Sequence, residues 1–460
     1  MPCAFYAERP SPFQELGPGC QFGGHEHDLI NVDGVKLCPF HAPIENSDGN
    51  KTKKGFWDAR QLREFYERVH VRIDTAKDND DTCDLTGVVF PGVADFSEKE
   101  FPTVCFFVAK FDGIANFFGA RFSGGDVNFD GARFSGGTTN FYKAKFSGGG
   151  ASFVEARFGG NVTTFLEAGF SGGPARFIRA EFIGGSVIFS ETQFTGGDAY
   201  FHGAQFSCGY SGFEKAKFSG FADFSAPGGE NKEDSDKRIF REVHFGGARF
   251  EGKSKGNNNY GVTFENRRFL QQASFEDCFF ASAPRFHGCE LHPDTEFSGA
   301  EFPDTKSDGS DRAYRTLKLA MESVRSRNEE AMFYALEQKS LRHRSDTRQS
   351  AKIVSYLYEI MSDYGRDFIL PIFWLLFVSF VFSQFYGDLA GAVGTECLQK
   401  MGNVGFAVQQ IFRPFEIWKL ATNGVSCGLG IKLIGTVQSL ATLSLFALFL
   451  LALRRRFKMD

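Results

Sequence analysis

The sequence lacks an excess of either charge. Its 51 Lys and Arg residues stand against 56 Asp and Glu residues, which leaves a formal net charge of −5 over 460 residues. Bulk electrostatics therefore indicate neither a nucleic-acid partner nor an acidic substrate. The N-terminus also lacks the apolar stretch of a secretory signal peptide. The ten cysteines are thus expected in a reducing compartment and not in a disulfide scaffold, with the N-terminus in the cytoplasm.

Phenylalanine and glycine, by contrast, are abundant, with 57 and 52 residues. Between Ala115 and Phe218, Phe recurs at alternating steps of five and seven residues, and a small residue stands two positions before each one. The Phe positions are Phe117, Phe122, Phe129, Phe134, Phe141, Phe146, Phe153, Phe158, Phe165, Phe170, Phe177, Phe182, Phe189, Phe194, Phe201, Phe206, Phe213 and Phe218. A period this strict is typical of a solenoid.

The spacing also predicts which side chains face the interior. Side chains two residues apart point to the same side of an extended chain, so the small residue and the Phe should both face inward. The extra residues between units are mostly glycine, and we expect them at bulged corners that need positive φ. Four faces then require about 24 residues per coil, and coils stack about 4.8 Å apart. Each buried ring contributes about 2–3 kcal/mol before chain entropy is subtracted, so a single coil would not be stable.

The small-x-Phe units, such as Ala132-Arg133-Phe134 and Ala144-Lys145-Phe146, resemble the pentapeptide-repeat family, although the Gly-Gly spacers depart from its uninterrupted fives. The resemblance implies a right-handed quadrilateral β-helix. Looser units extend the repeat upstream to Ala94 and downstream to Phe302. We therefore predict a mainly β protein with a helical linker and a C-terminal α-helical transmembrane hairpin. The predicted regions are a zinc-binding knuckle (1–45), a helical cap (46–87), the β-helix (88–305), a helical cap or linker (306–364) and a two-span transmembrane domain (365–460).

The N-terminal region contains candidate metal ligands. These are Cys3, Cys20, Cys38 and His41, the last two in the sequence LCPFHAP. Thiolates and an imidazole at the ends of short loops are the ligands of tetrahedral Zn²⁺, and a structural zinc would hold together a segment too small for its own core. Similar segments ending in C-x-F-H-x-P occur in bacterial pentapeptide-repeat proteins, and this resemblance implies a knuckle of three Cys and one His. Two alternatives stay open: His25 or His27 could replace a ligand, or the cysteines are buried and free beside a surface His.

The charged segment between Asp48 and Asp84 contains one helical pattern. Its apolar positions are Phe56, Leu62, Phe65, Tyr66 and Val69. We expect this helix to cover the first coil, whose strand edges would otherwise be exposed.

Three motif matches conflict with their surroundings. Gly247 to Ser254 fits the phosphate-loop pattern letter by letter, but Ala248 and Phe250 occupy the inward register and no helix follows. The stretches 169–173 and 424–428 imitate a nucleophile elbow, yet neither has an acid or base partner. We therefore predict no nucleotide binding and no enzymatic activity.

The outward position between each small residue and its Phe is mixed in charge and leans basic. It carries Arg121, Arg133, Lys145, Arg157, Glu181, Gln193, Gln205 and Lys217. Some pentapeptide-repeat proteins imitate duplex DNA with an acidic rod, and this pattern disfavours that role. A solvated surface and a stripe that contacts anionic lipid headgroups both stay open.

After Phe302 the spacing becomes helical. Apolar residues stand at Tyr314, Leu317, Met321 and Val324, and then at Ala331, Tyr334 and Leu341. The pattern predicts two helices broken near Asn328, and Phe333 and Leu336 indicate that the second is partly sandwiched. The segment resembles the one that joins pentapeptide repeats to a membrane domain in a bacterial subfamily.

Two apolar runs, 368–387 and 433–453, are long enough to cross the hydrocarbon core of a bilayer. Arg366 precedes the first run, and RRRFK at 454–458 follows the second. The positive-inside rule then predicts a multi-pass protein of the bacterial inner membrane with both termini in the cytoplasm.

The connector between the spans contains VGFAVQQIFRPFEIW at 404–418, which predicts an interfacial or re-entrant helix. Its expected apolar side is Phe406, Ile411, Phe412, Phe415 and Trp418, and the residues expected to be available to water or to a partner are Gln409, Gln410, Arg413 and Glu416. Span, half-helix and span is the layout of two-helix channels, which must oligomerise to enclose a pore. No potassium-type filter sequence is present. Cys397 and Cys427 would lie on the far side, where an oxidising periplasm could pair them.

Together these features predict a non-enzymatic membrane protein. A cytoplasmic rod would sense or dock a protein partner and transmit to an oligomerising, pore-like domain, which would act as an ion channel or a membrane-disrupting effector. The alternative is a membrane-anchored interaction scaffold without pore activity. The expected partners are the lipid bilayer, further copies of the chain and a cytoplasmic protein bound to the β-helix.

Overall fold

The computed structural model describes residues 3–22, 28–228, 236–252, 261–389, 396–415 and 428–457. The chain divides into two compact units, Met1–Ala320 and Met321–Asp460.

The first unit is built on a β-solenoid of four parallel sheets with eight strands each. The first sheet contains Cys83–Asp84, Val104–Cys105, Val127–Asn128, Ala151–Ser152, Ala175–Arg176, Ala199–Tyr200, Ala222–Asp223 and Val262–Thr263. The second contains Val89–Phe90, Lys110–Phe111, Arg133–Phe134, Arg157–Phe158, Glu181–Phe182, Gln205–Phe206, Ile239–Phe240 and Arg268–Phe269. The third contains Ala94–Asp95, Ala115–Asn116, Thr138–Asn140, Val162–Thr164, Ser186–Ile188, Tyr210–Gly212, Val243–His244 and Ala273–Ser274. The fourth contains Glu100–Phe101, Arg121–Phe122, Lys145–Phe146, Gly169–Phe170, Gln193–Phe194, Lys217–Phe218, Arg249–Phe250 and Phe279–Phe280.

The register of these sheets repeats at the predicted interval. Val127 pairs with Ala151, and Ala151 pairs with Ala175, so each residue pairs with the one 24 positions further along the chain. The Phe rings form stacked columns inside the coil, as between Phe129 and Phe153, whose centroids lie 5.0 Å apart with an interplanar angle of 2°. The predicted solenoid, its period and its inward-facing rings are confirmed.

The glycine spacers are explained differently from the prediction. Positive φ falls at corner residues two positions after a Phe, such as Lys143 (59°) and Glu155 (57°), and among the described Gly-Gly spacers it occurs only at Gly125. Many spacer glycines instead lie directly against the backbone of the preceding coil. A Cβ on Gly160 would lie 2.0 Å from the carbonyl oxygen of Gly136, whereas one on Gly137 would meet no atom within 4 Å. The expectation of positive-φ corners at the spacers was therefore wrong. At positions such as Gly160, glycine is needed because two backbones approach too closely for a side chain.

The N-terminal segment has a 3-10 turn at Phe13–Leu16, a hairpin of strands β1 (Ile30–Val32) and β2 (Val35–Leu37), a 3-10 turn at Lys54–Phe56, and helix α1 (Ala59–Asp78). Asp58 and Gln61 form a capping box that starts α1. The helix covers the first coil as predicted, because the Tyr66 hydroxyl donates to the carbonyl oxygen of Pro91 at 2.7 Å. Phe56, which was expected on the apolar side, precedes the helix and is 72% exposed.

A further 3-10 turn lies at Asp236–Arg238, and helix α2 (Ser310–Ser323) follows the solenoid. The buried Tyr314 of α2 donates to the carbonyl oxygen of Asp304 at 2.6 Å, and its ring meets Phe302 edge-on. The last coil is therefore covered by a helix, as the first one is.

The second unit contains α3 (Arg327–His343), α4 (Gln349–Ser362), a 3-10 turn (Asp363–Gly365), α5 (Ile369–Leu389), α6 (Glu396–Phe412) and α7 (Leu429–Phe457). The break before α3 falls at Arg325, close to the predicted position, and Phe333 is fully buried. The linker between the repeat and the spans was predicted with two helices and has three, because α4 was missed.

Two helices, Ile369–Leu389 and Leu429–Arg454, are long and apolar enough to cross a membrane. They run antiparallel, because Tyr386 near the end of α5 contacts Gln438 near the start of α7. Helix α6 packs against both, and its Phe406 and Ala407 form a buried cluster with Tyr386 and Ile431.

Candidate metal centre and membrane module

The Cys38–His41 pair is positioned by a tight turn that follows β2. The β1–β2 hairpin closes through Asp33 and Gly34, which both have positive φ, 50° and 83°, as a two-residue hairpin loop needs. Directly after β2, the Cys38 carbonyl oxygen accepts hydrogen bonds from the backbone of His41 (3.1 Å) and Ala42 (2.9 Å). This turn brings Cys38 Sγ to 3.2 Å from His41 Nδ1.

The other two predicted ligands complete the cluster. Cys3 Sγ lies 3.5 Å from His41 Nδ1, Cys20 Sγ lies 3.8 Å from Cys38 Sγ, and all four ligand atoms fall within 4.8 Å of one another. A tetrahedral zinc site, with Zn–S of about 2.3 Å and Zn–N of about 2.0–2.1 Å, has edges of about 3.8 Å between sulfurs and about 3.5 Å between sulfur and nitrogen. The cluster therefore has the donor set and the size to hold a tetrahedral metal ion.

Neighbouring groups orient these ligands. The Cys38 N–H donates to Cys3 Sγ at 3.2 Å, and His41 Nε2 lies 3.0 Å from the carbonyl oxygen of Thr86. A proton on Nε2 serves this bond and leaves the Nδ1 lone pair directed at the thiols, which is the usual arrangement behind a metal-bound His. Phe5 stacks on the imidazole with 3.8 Å between centroids. His41 is only 5% exposed. The alternative that placed free cysteines beside a surface His is therefore wrong in its position for that His.

The crowded thiols have unequal proton affinities. Hydrogen bonds from Cys20 and Cys38 hold the pKa of Cys3 far below its ordinary range. The pKa of Cys38 lies far above its ordinary range, because the neighbouring thiols of Cys20 and Cys3 and its own burial all disfavour a second thiolate. A thiolate therefore forms more readily at Cys3 than at Cys38, and a cation in the cluster would favour the thiolate form of Cys38.

Cysteines elsewhere in the described residues occupy a different environment. Cys278 is buried in the solenoid and donates to the carbonyl oxygen of Phe245 at 3.1 Å. Burial raises the pKa of the Cys278 thiol to about 12, and it does the same for Cys289, which lies beside the Phe264 carbonyl oxygen. These cysteines are small core residues and have the inert character of buried thiols.

Lys54 supports the metal centre and was not predicted. Its ammonium group is buried and donates to the carbonyl oxygens of Pro39 (2.7 Å) and Val89 (2.6 Å), and it lies 4.7 Å from the Phe65 ring centroid. It thereby joins the ligand turn to the first coil, and desolvation lowers its pKa to about 7. The stretch KTKKGF has no periodicity that distinguishes this lysine from its neighbours, so sequence reasoning had no signal for it.

Several sequence expectations fall beyond the described ranges. His25 and His27 lie there, as do Lys253 and Ser254 of the phosphate-loop match. The described half of that match is solenoid core, because Ala248 and Phe250 are both fully buried. Trp418, Glu416 and Cys427 also lie outside the described residues, so the pairing of Cys397 with Cys427 stays a prediction.

The outer surface of the solenoid carries ion pairs between successive coils. Arg157 pairs with Glu181 at 3.4 Å, and Lys217 pairs with Glu251 at 3.0 Å. Acidic side chains therefore neutralise part of the basic stripe seen in the sequence. Exposed pairs of this kind stabilise a protein by at most about 1 kcal/mol each.

A buried polar cluster joins the three apolar helices of the second unit. The Tyr386 hydroxyl of α5 donates to Gln438 Oε1 of α7 at 2.8 Å, and Gln438 Nε2 donates to the carbonyl oxygen of Ala407 in α6 at 2.9 Å. Gln438 is fully buried. In the sequence it is a polar residue within the apolar run 433–453.

Gln410 of α6 was expected to be available to water or to a partner, and the structure gives it a partner. It is fully buried, and its Oε1 accepts from Ser439 at 3.1 Å. Phe412, which was expected on the apolar side of the helix, is 79% exposed. The helix packs on two apolar helices, where a buried polar side chain needs a partner within the protein.

Comparison of the chain with protein-family models, with curated proteins and with solved structures finds no significant match.

Proposed function

We propose that this chain is a non-enzymatic, multi-pass protein of the bacterial inner membrane whose two-span unit assembles into a homo-oligomeric pore. A cytoplasmic pentapeptide-repeat rod would sense or dock a protein partner and regulate that pore. The observation that carries the proposal is α6, a helix that packs against both apolar spans.

The depth of α6 follows from its partners on α7. Gln410 meets Ser439, and its carbonyl oxygen accepts from Thr442 at 3.5 Å. These residues stand ten and thirteen positions after Leu429, where α7 begins. The apolar run begins only after Lys432, at Leu433, so at a rise of about 1.5 Å per residue they lie about 9–14 Å into a hydrocarbon core about 30 Å thick. This depth favours a re-entrant half-helix over a helix on the membrane surface.

The polar contacts of α6 also support a re-entrant position. A helix at the bilayer centre must satisfy its polar side chains within the protein, because lipid offers no hydrogen bonds. Gln438 and Ser439 supply partners to α6 at that depth. Short helices of this type line the pores of two-helix channels, which assemble from several subunits because two spans cannot enclose a channel.

Exposed apolar side chains favour oligomerisation and lipid contact. Phe380 of α5 is 64% exposed, Leu440 of α7 is 53% exposed, and Phe412 at the end of α6 is 79% exposed. In water this surface would aggregate, whereas in a bilayer part of it faces acyl chains and part faces neighbouring copies. Arg366 before the first span and Arg454 at the end of the second support a cytoplasmic location for both termini, by the positive-inside rule.

We further propose that the metal of the N-terminal centre is a structural Zn²⁺. Three thiols and one imidazole occupy four positions and leave none for a substrate or water, which is typical of structural zinc. The ion would fasten the short N-terminal segment to the first coil, since His41 also contacts Thr86.

The pore proposal is tested by oligomeric state and conductance together. We expect the full-length protein to be a defined oligomer in detergent and to depolarise cells that express it. A truncated chain that lacks residues 367–460, and so both candidate spans, is the control. A monomer in detergent, or depolarisation no greater than that of the truncated chain, would contradict the pore. A truncated chain that retains its protein partner would then support the scaffold alternative.

A further inference from the structure

Helix α4 (Gln349–Ser362) presents its apolar side chains outward. The exposed residues are Ile353 (60%), Val354 (64%), Leu357 (46%) and Ile360 (52%). Their spacing of one, three and three residues places them on one face of the helix. A helix in a water-soluble protein would bury this face against a core. The exposed apolar face of α4 is therefore expected to contact another apolar surface.

The opposite face of α4 is polar and turned toward its own unit. Ser355 hydrogen-bonds the hydroxyl of Tyr364 at 2.8 Å. Glu359 pairs with Lys339 of α3 at 3.1 Å and also with Arg342. Because these bonds fix the rotation of α4, the helix cannot turn its apolar face inward without losing them.

The end of α4 is attached to the beginning of the first span. The indole nitrogen of Trp374 donates to the carbonyl oxygen of Ile360 at 2.9 Å. Trp374 stands five positions after Ile369, about 8 Å along α5, and tryptophan prefers the boundary between headgroups and acyl chains. The C-terminal end of α4 is therefore level with the second turn of a membrane span.

The chain bends sharply between the two helices. Asp363 and Tyr364 have φ of 44° and 56°, and such left-handed residues end a helix. Helix α4 is also about 21 Å long, which is too short to cross the bilayer. An amphipathic helix of this length beside a span is suited to lie in the membrane plane.

We propose that α4 is an interfacial helix that inserts Ile353, Val354, Leu357 and Ile360 into the headgroup–acyl boundary of the cytoplasmic leaflet. The partner of this apolar face is the phospholipid bilayer, the same bilayer that would surround α5. Arg348, which is exposed at the N-cap of the helix, is a basic side chain of the kind that anionic lipid headgroups attract. The inference rests on the proposed membrane location of α5 and α7.

The test uses a benzophenone-bearing amino acid at Leu357 of the full-length chain, in vesicles of phosphatidylglycerol and phosphatidylethanolamine. The same amino acid at Phe380 of α5 reports on the span, and at Val71, a 63% exposed residue of α1, it reports on a water-facing helix. After irradiation, mass spectrometry should find one phospholipid added at positions 357 and 380 and none at 71. Each probe replaces an exposed side chain, so the fold should be retained, and circular dichroism checks this.

The outcomes separate this inference from the proposed function. A lipid adduct at 380 without one at 357, or a covalent dimer from 357, would overturn the interfacial helix and leave the spans intact. No adduct at either position would overturn the membrane location as well.

Discussion

The guanidinium of Arg267 donates to the carbonyl oxygen of Ala204 at 2.7 Å inside the solenoid, where the arginine has no exposed surface. Arg267 stands two positions before Phe269, in the inward register that Ala204 and Ala248 occupy in neighbouring coils. Its other hydrogen bonds go to the carbonyl oxygens of Phe201, Phe224, Ser225 and Lys237. A buried cation is thus surrounded by backbone acceptors.

Pro227 explains why one of these acceptors needs a donor. In other coils the residue three positions after a Phe donates its N–H to that Phe, as Ala204 does to Phe201 at 3.0 Å. The equivalent residue after Phe224 is Pro227, which has no N–H. Arg267 Nε donates to Phe224 in its place. Desolvation lowers the pKa of Arg267 to about 9, which leaves it charged at neutral pH.

Replacing Arg267 should destabilise the solenoid strongly. Arg267→Met leaves several buried carbonyl groups without a donor, and each costs about 1–3 kcal/mol, so we expect a loss of at least about 3 kcal/mol in unfolding free energy. Arg268→Met is the matched control, because Arg268 pairs with Glu290 at the surface. This substitution should change stability by less than about 1 kcal/mol. Urea unfolding followed by circular dichroism measures both. Equal effects of the two substitutions would contradict the role given to Arg267.

The spacer glycines should differ from one another in their tolerance of a methyl group. Gly160→Ala places a Cβ 2.0 Å from the Gly136 carbonyl oxygen and should cost about 1–3 kcal/mol, because the coils must separate to admit it. At Gly137 a Cβ meets no atom within 4 Å, so Gly137→Ala should alter stability by less than about 1 kcal/mol. Thermal unfolding of the two variants checks this. A harmless Gly160→Ala would mean that the coils are not in close backbone contact.

Zinc should be present in the purified protein at one ion per chain. Cys38→Ser should abolish that zinc and lower the melting temperature, because the ion binds the folded cluster and stabilises it. Cys208→Ser, at a buried solenoid cysteine that donates to the Tyr210 carbonyl oxygen, should retain the zinc. Elemental analysis and calorimetry with and without a chelator make the measurement. Wild-type protein without bound metal would refute the zinc proposal.

The packing of α6, which we propose to be re-entrant, should depend on Gln438. Gln438→Leu removes the bonds to Tyr386 and Ala407, each worth about 0.6–1.7 kcal/mol within a membrane, so α6 should pack less firmly. We expect a lower melting temperature in detergent and a loss of ion flux in vesicles. Ser444→Ala is the control, since this exposed hydroxyl bonds only to Leu440 of its own helix among the described contacts. Unchanged ion flux in the Gln438→Leu variant would contradict a role of α6 in the proposed pore.

The predictable features of the chain are those that neighbouring residues specify. The repeat could be recognised because every coil copies the last, so the alternation around Phe129 and Phe153 predicts both the period and the buried side. Length and hydropathy likewise sufficed for the two spans. Helix α4 could also have been found, since Ile353, Leu357 and Ile360 have helical spacing, but its apolar face would have been assigned to a protein core.

The sequence predicted which residues form the candidate metal cluster, but not how the fold brings them together. The spacing of Cys38 and His41 belongs to one turn, whereas Cys3 and Cys20 reach it only when the N-terminal loop folds back. Lys54 and Thr86, which hold the cluster from outside, come from distant segments. No local pattern relates them, because their contacts form between chain segments far apart in the sequence.

Local periodicity and hydrophobicity are enough to specify the coiled architecture, its ring-filled interior and the two long apolar helices. The folded chain is needed to see that Arg267 replaces a donor lost at Pro227, that Gly160 is required by the neighbouring backbone, and that Gln410 faces inward. Each of these depends on which backbone atoms meet across coils or helices, and that is a property of packing and not of any one segment.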